Sequence, residues 1–365
     1  MYCIYHYIVC TTYLDSHSPL SQNIPLTHVK KIMFLSRYLV ISIISSCTPV
    51  VRSLLPIAPK TKTRQSSSSL NIFRGLFSEQ PRVKAPPNFV PPTPRPLTIT
   101  EGTDLKGFAT ASVGLVIRLA TGAFVLGWKV DTLFSDDVNR YALKLGPFRL
   151  RDSSSVLNDA VKPASTLVLY DRESSPDCKR VRELLNLLDI TYEVRPCFED
   201  TVTDNPVPFL VDPNLDKTIV GDDDIIEHLL ERYGPNPDLY DRKALWPIEF
   251  RSFAIATSLI AVLLRGNPGR TKQLNARSDT ASMEPIELWG YECSPFVRPV
   301  KEKLADLGLP HRVVSCSRGS INRDKMVERT GRFQVPFIVD ANTGIEMFEG
   351  PEIVNYLEAV YTVKE

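Results

Sequence analysis

Apolar and polar positions change period in a fixed order between residues 165 and 240. "STLVLY" (165–170) is an apolar, β-branched run of strand length, and "PDCKRVRELLNLLDI" (176–190) places Val181, Leu184, Leu185 and Leu188 on one helical stripe. Strands over 191–197 and 207–212 follow, then a helix over 223–234 stopped by Gly234. The same order returns as strand 285–290, helix 295–308, strand 311–316, strand 335–340 and helix 350–361. Pro176 and Pro295 lie 119 residues apart, whereas Pro208 and Pro336, and Ile225 and Ile353, lie 128 apart. One nine-residue difference inside an otherwise kept register is most simply an internal duplication.

The rest of the chain follows other rules. Residues 1–82 read as a targeting or disordered region. A basic flank and short apolar run, "KKIMFLSRYLVISIISSCTPVV", precede the acid-free, Ser- and Arg-rich stretch "RSLLPIAPKTKTRQSSSSLNIFRGLF". That order suits a bipartite plastid address; a disordered tail from a mis-assigned start, or membrane association in another organelle, is the alternative. Residues 83–164 read as a proline-rich linker and an apolar helical segment, and 241–284 as a second linker with its own apolar helix. "GFATASVGLVIRLATGAFVLGW" (107–128) carries Arg118 at its middle, which lipid penalises, and "SFAIATSLIAVLL" (252–264) is too short to span. Both suit helices packed on a domain or lying at a membrane surface.

Composition narrows the function by exclusion. A net charge of +1 gives no basic excess for nucleic acid, and seven scattered cysteines form neither a disulfide framework nor a zinc motif. No metal-ligand set, phosphate loop or hydrolase triad is present. His228 and His311 have no acid–base partner at recognisable spacing and read as surface or satisfied histidines.

A βαβ unit followed by a strand opening on Val-Pro, another strand and a final helix resembles the thioredoxin fold, in particular the glutathione transferase amino-terminal domain and glutaredoxins. The resemblance rests on Ser175-Pro176 and Ser294-Pro295, Val207-Pro208 and Val335-Pro336, and "TGIEMFEGPEIVNYLEAVY" (343–361); "SCSRGS" and "GRFQVPFIVDANTG" also resemble plant and algal plastid proteins with two such domains. The expected fold is α/β: two tandem thioredoxin-fold domains, 165–240 and 285–365, joined by a partly helical linker.

The resemblance implies glutathione as cosubstrate, a small thiol or electrophile as partner, and a site at the start of each copy's first helix, where the dipole favours an anion. Ser175 and Ser294 are N-cap candidates, and either capping alone or hydrogen-bond donation to glutathione's sulfur accounts for them. Cys178 and Cys293 are the thiol candidates, each with a structural alternative; pairing with Cys197 or Cys316 competes with simple burial. Pro299 costs its helix one bond and tilts the first turn. Val207-Pro208 and Val335-Pro336 would hold the cysteinyl main chain across a cis proline. Glu349-Gly350 keeps the acid of the family's acid–serine pair, whereas Gly221-Asp222 loses the pattern, so copy two is the expected binder. Glutathione-linked thiol transfer or reduction is the first functional reading, and a non-catalytic binding scaffold the second, supported by the missing helical domain of transferases. A membrane-associated prostaglandin-synthase-like isomerase is the third, against which the missing Cys-Pro-x-Cys counts.

Overall fold

The computed structural model describes residues 83–95, 105–133, 141–145, 148–201 and 203–363. Residues 1–82, expected to be a targeting or disordered region, and with them Cys3, Cys10 and Cys47, lie outside the described residues.

Copy one consists of β4 (Leu167–Asp171), α2 (Pro176–Leu187), β5 (Tyr192–Pro196), β6 (Phe209–Asp212), β7 (Lys217–Val220) and α3 (Asp222–Tyr233). Its counterpart is β8 (Ile286–Gly290), α6 (Arg298–Asp306), β9 (His311–Ser315), α7 (Asn322–Thr330), β10 (Phe337–Asp340), β11 (Ile345–Phe348) and α8 (Gly350–Tyr361). In each copy the first two strands pair in parallel and the last two add antiparallel, as the βαβ-plus-hairpin pattern requires. The final helix is anchored in each copy on the aspartate that ends the third strand. Asp212 accepts from the Tyr233 hydroxyl at 2.7 Å and bonds His228 at 2.9 Å, while Asp340 accepts from Tyr361 at 2.7 Å and Tyr356 at 2.6 Å.

The two copies are not beads on a linker. Edge strands β5 and β9 pair antiparallel, Tyr192 opposite Val313 and Val194 opposite His311, so one eight-stranded sheet runs through both. Pairing the two edges satisfies backbone groups that would otherwise template aggregation. Two apolar clusters flank the seam, Leu169, Leu184 and Leu229 centring one and Leu288, Leu304 and Leu357 the other, with Val313 of β9 reaching across into the first.

The linkers are structured as well. Residues 83–95 hold no helix or strand, yet Val83 enters the copy-two core and Phe89 packs on Tyr356, ring centroids 5.2 Å apart. After helix α1 (Leu105–Ile117) comes a small antiparallel sheet of β1 (Trp128–Leu133), β2 (Leu143–Leu145) and β3 (Phe148–Ser154), which the expectation of a linker omitted. Between the copies lie α4 (Trp246–Glu249) and α5 (Arg251–Leu263), the latter packed on α1 and α2. Arg118 ends α1 fully buried, with its Nε 3.0 Å from Glu183, so the arginine that argued against lipid sits inside the protein instead.

Candidate functional site

The start of α2 forms as its sequence requires. Ser175 has extended backbone angles, Pro176 stands in the first turn without an N–H to waste, and Ser175 Oγ accepts from the Cys178 amide at 3.3 Å. The start of α6 differs. Pro299 cannot donate, so the regular helix begins at Arg298, where the missing N–H falls among those the first turn leaves unpaired anyway. Ser294, expected as an N-cap, is fully buried upstream and caps no helix.

Both Val207-Pro208 and Val335-Pro336 are cis. Gly221 and Glu349 hold the same place before the last helix and share positive φ, 92° and 76°. A glycine adopts that angle freely, whereas Glu349 adopts it at a cost that binding sites commonly carry. Its carboxylate accepts from the Gln334 amide at 3.0 Å and from the backbone N–H of Arg95 at 2.5 Å, and the Arg95 guanidinium pairs with Glu352. Arg332 binds the Pro94 carbonyl at 3.3 Å. The proline-rich strap thus crosses copy two at Glu349 and Glu352 and meets Arg332, and Val335 beside the cis proline is buried. In copy one Asp222 follows Gly221, and its carboxylate is held by Arg180.

An open cavity of about 470 Å3 lies in copy one, lined by Arg172, Cys197, Phe198, Thr203, Asn205 and Val207, among others. Arg172 donates to the Phe198 carbonyl at 3.1 Å, but its buried Nε–H has no acceptor. The cavity exists because the chain runs directly from Cys197 to Pro208. Copy two spends its nine extra residues on α7, whose Arg323 donates to the carbonyls of Cys316 (3.0 Å) and Ser317 (3.1 Å) and whose Met326 is buried. The small sheet then braces α7, with Asp324 accepting from Arg151 and from the Tyr141 amide, both at 2.9 Å.

The described cysteines, Cys178, Cys197, Cys293 and Cys316, are free thiols and buried. Burial pushes all four up: Cys197 to about 11, and Cys178, Cys293 and Cys316 further. The α2 dipole does not overcome that at Cys178, where Asp171 adds to the opposition. Among the described residues no group of His, Cys, Asp and Glu is placed to hold a metal ion.

Sequence reasoning missed a buried ion network between the two first helices. Glu292 meets Lys179 Nζ at 3.0 Å, Arg182 Nε at 3.2 Å and Lys301. Arg182 also bonds Asp171 at 2.6 Å and approaches Glu173 at 3.5 Å, which lies 3.4 Å from Lys301. Burial opposes ionisation of Glu292, but the three cations outweigh it and hold its carboxyl well below the carboxylate range. The signal was present: Glu173 and Glu292, Arg182 and Lys301, and Lys179 and Arg298 all repeat at the 119-residue spacing of Pro176 and Pro295.

A family model described as the glutathione S-transferase N-terminal domain matches residues 169–237 and 288–364, the two halves of the shared sheet. Both segments have the thioredoxin fold and are similar to that domain. No curated protein and no solved structure matches the chain.

Proposed function

We propose that the chain is a glutathione-binding protein whose open site lies in copy one. The observation that carries this is the cavity beside Val207 and cis-Pro208, into whose wall Arg172 brings a buried N–H without an acceptor. Glutathione offers a cysteinyl main chain for Val207 and carboxylates for Arg172, and a buried donor left unpaired costs about 1–3 kcal/mol that such a ligand recovers.

The chemistry that fits is activation of glutathione's thiol rather than use of a protein thiol. Ser175 accepts the Cys178 N–H through a lone pair, which leaves its hydroxyl proton to donate to sulfur, and the α2 terminus favours the thiolate. The high-lying pKa values of Cys178 and Cys293 speak against either as the nucleophile. Copy two retains Glu349 but spends it on its own strap, and Ser294 and Val335 are buried. That closure favours a scaffold role for copy two, the second reading. Gly221 offers copy one no acid for the γ-glutamyl amine, so affinity in the high micromolar to millimolar range is expected, about 4–6 kcal/mol.

Calorimetric titration of the full chain with glutathione tests this. Thr203→Trp, which fills the cavity from a half-buried loop position, should abolish the heat, and Glu349→Ala should leave it unchanged. The reverse pattern would put the site in copy two. No heat up to about 10 mM, under about 3 kcal/mol of affinity, would leave the scaffold reading alone.

A further inference from the structure

Helix α5 is packed inside out. Its buried face consists of Ala254, Ser258, Ala261 and Val262, while Leu259, Ile260, Leu263 and Leu264, with Phe250 just before the helix, are between 43% and 60% exposed. An amphipathic helix of a protein in water does the opposite. Its partner α1 has the same character. Ala111 and Gly114 are buried, a Cβ on Gly114 would meet the Arg298 guanidinium first and the Ala261 Cβ at 3.6 Å, and Val116 is exposed. Small residues between helices and large apolar ones outside are how helices pack in lipid.

The polar groups agree. No charged residue occurs in 107–117 or 252–264. Thr110 bonds the Lys106 and Gly107 carbonyls, Ser112 that of Phe108 and Thr257 that of Phe253, so these hydroxyls donate within their own helices, while Thr110 and Thr257 also accept from Arg265 at 3.0 Å and Arg118 at 3.1 Å. Hydrocarbon demands this, whereas a protein interface uses a polar rim and free hydrogen-bonding groups. Trp246 is exposed at the end where α5 begins, its ring tilted 43° against that of Phe253 with centroids 5.0 Å apart, the amphipathic ring favoured at a headgroup boundary. Two cations at that end are already paired, Arg251 with Asp177 at 2.6 Å and Arg242 with Glu227 at 2.6 Å, so these two do not call for anionic headgroups.

We infer that the exposed face of α1 and α5 docks on the surface of a lipid bilayer, inserting its side chains at the headgroup–acyl boundary. No single helix among the described residues is long and apolar enough to cross a membrane; residues 242–249 and α5 meet that length and composition only as a pair, bent by 51°. The 13 residues of α5 extend about 20 Å against a hydrocarbon thickness of about 30 Å, which suits a helix lying in the interface.

Flotation of the purified full chain with phosphatidylcholine vesicles tests the inference. Wild type should float, at low and high salt alike, and Ile260→Glu with Leu263→Glu should reduce the vesicle-bound fraction about tenfold or more, since two large apolar side chains are replaced by charged ones. Both positions are exposed, so an unchanged melting temperature shows that the variant folds. Three outcomes overturn the inference: a wild type that stays with the soluble fraction; a double variant that floats like wild type, which would assign binding to another segment; and a wild-type dimer that the variant splits without vesicle binding, which would give the face to a second copy.

Discussion

Copy one and copy two share a sheet, a helix register and a cis proline, but around that proline they part. In copy one the chain passes directly from β5 to the proline and leaves a cavity; in copy two nine added residues fold as α7, the small sheet braces them, and the strap occupies Glu349. The copy with the better-preserved family residue is therefore the covered one. Retention of a side chain and access to it are separate properties, and here they have been divided between two halves of one molecule. What the halves kept in common is the wall between them, where Glu173 and Glu292 bring the two first helices into one buried ion network.

That network is itself lopsided, and the largest expected effect tests the imbalance. Glu292 meets three buried cations, two of them at 3.0–3.2 Å, whereas Glu173 meets two at 3.4–3.5 Å. Glu292→Gln leaves Lys179, Arg182 and Lys301 short of a counter-charge and should cost about 3–5 kcal/mol in urea unfolding, the loss typical of breaking a buried pair from one side. Glu173→Gln should cost clearly less. Equal losses would show that the copies contribute symmetrically to the seam.

A second expectation concerns the seam's two equivalent residues, Tyr192 in β5 and His311 in β9. His311 is buried with Nδ1 3.0 Å from the Leu309 carbonyl, and burial lowers its pKa from 6.5 to about 4. The unfolded chain therefore takes up this proton before the folded one does. The stability involved is fully present above pH 6.5 and is lost as pH falls toward about 4, a change of about 3 kcal/mol. Tyr192 does not ionise in this window, since burial raises its hydroxyl well above 10. Denaturant midpoints between pH 7 and 4 should fall for wild type and flatten for His311→Gln; a variant with the full slope would assign the proton elsewhere.

Much of the fold was legible because it is local. The helical stripe of Val181, Leu184, Leu185 and Leu188 and the two Val-Pro strand starts need only neighbours in sequence, and Pro299 announced the altered start of α6. The seam was not legible, since pairing Tyr192 with Val313 joins residues more than a hundred positions apart and no periodicity encodes it. The ion network was overlooked for a related reason. Lys179, Arg182 and Glu183 on a helix read as a solvated face until a second helix covers them. Near the candidate site, the cap at Ser175 and the proline after Val207 were readable from local sequence, but the choice between copies turned on α7 and the strap, whose contacts are long-range.

The smallest expected effect addresses the question that first separates the copies, what each motif serine does. Ser175 accepts the Cys178 amide at the head of α2, so Ser175→Ala should lose about 1 kcal/mol, the usual contribution of a cap. Ser294 caps nothing, because the regular helix starts four residues later, and Ser294→Ala should change stability by under about 0.5 kcal/mol. Measured together, the two variants separate capping from ligand chemistry. If Ser175→Gly, which costs a cap only a few tenths of a kcal/mol, still lowers glutathione affinity as far as Ser175→Ala does, the hydroxyl acts on the ligand directly. If affinity instead follows stability across the pair, Ser175 serves only to hold the helix start in place.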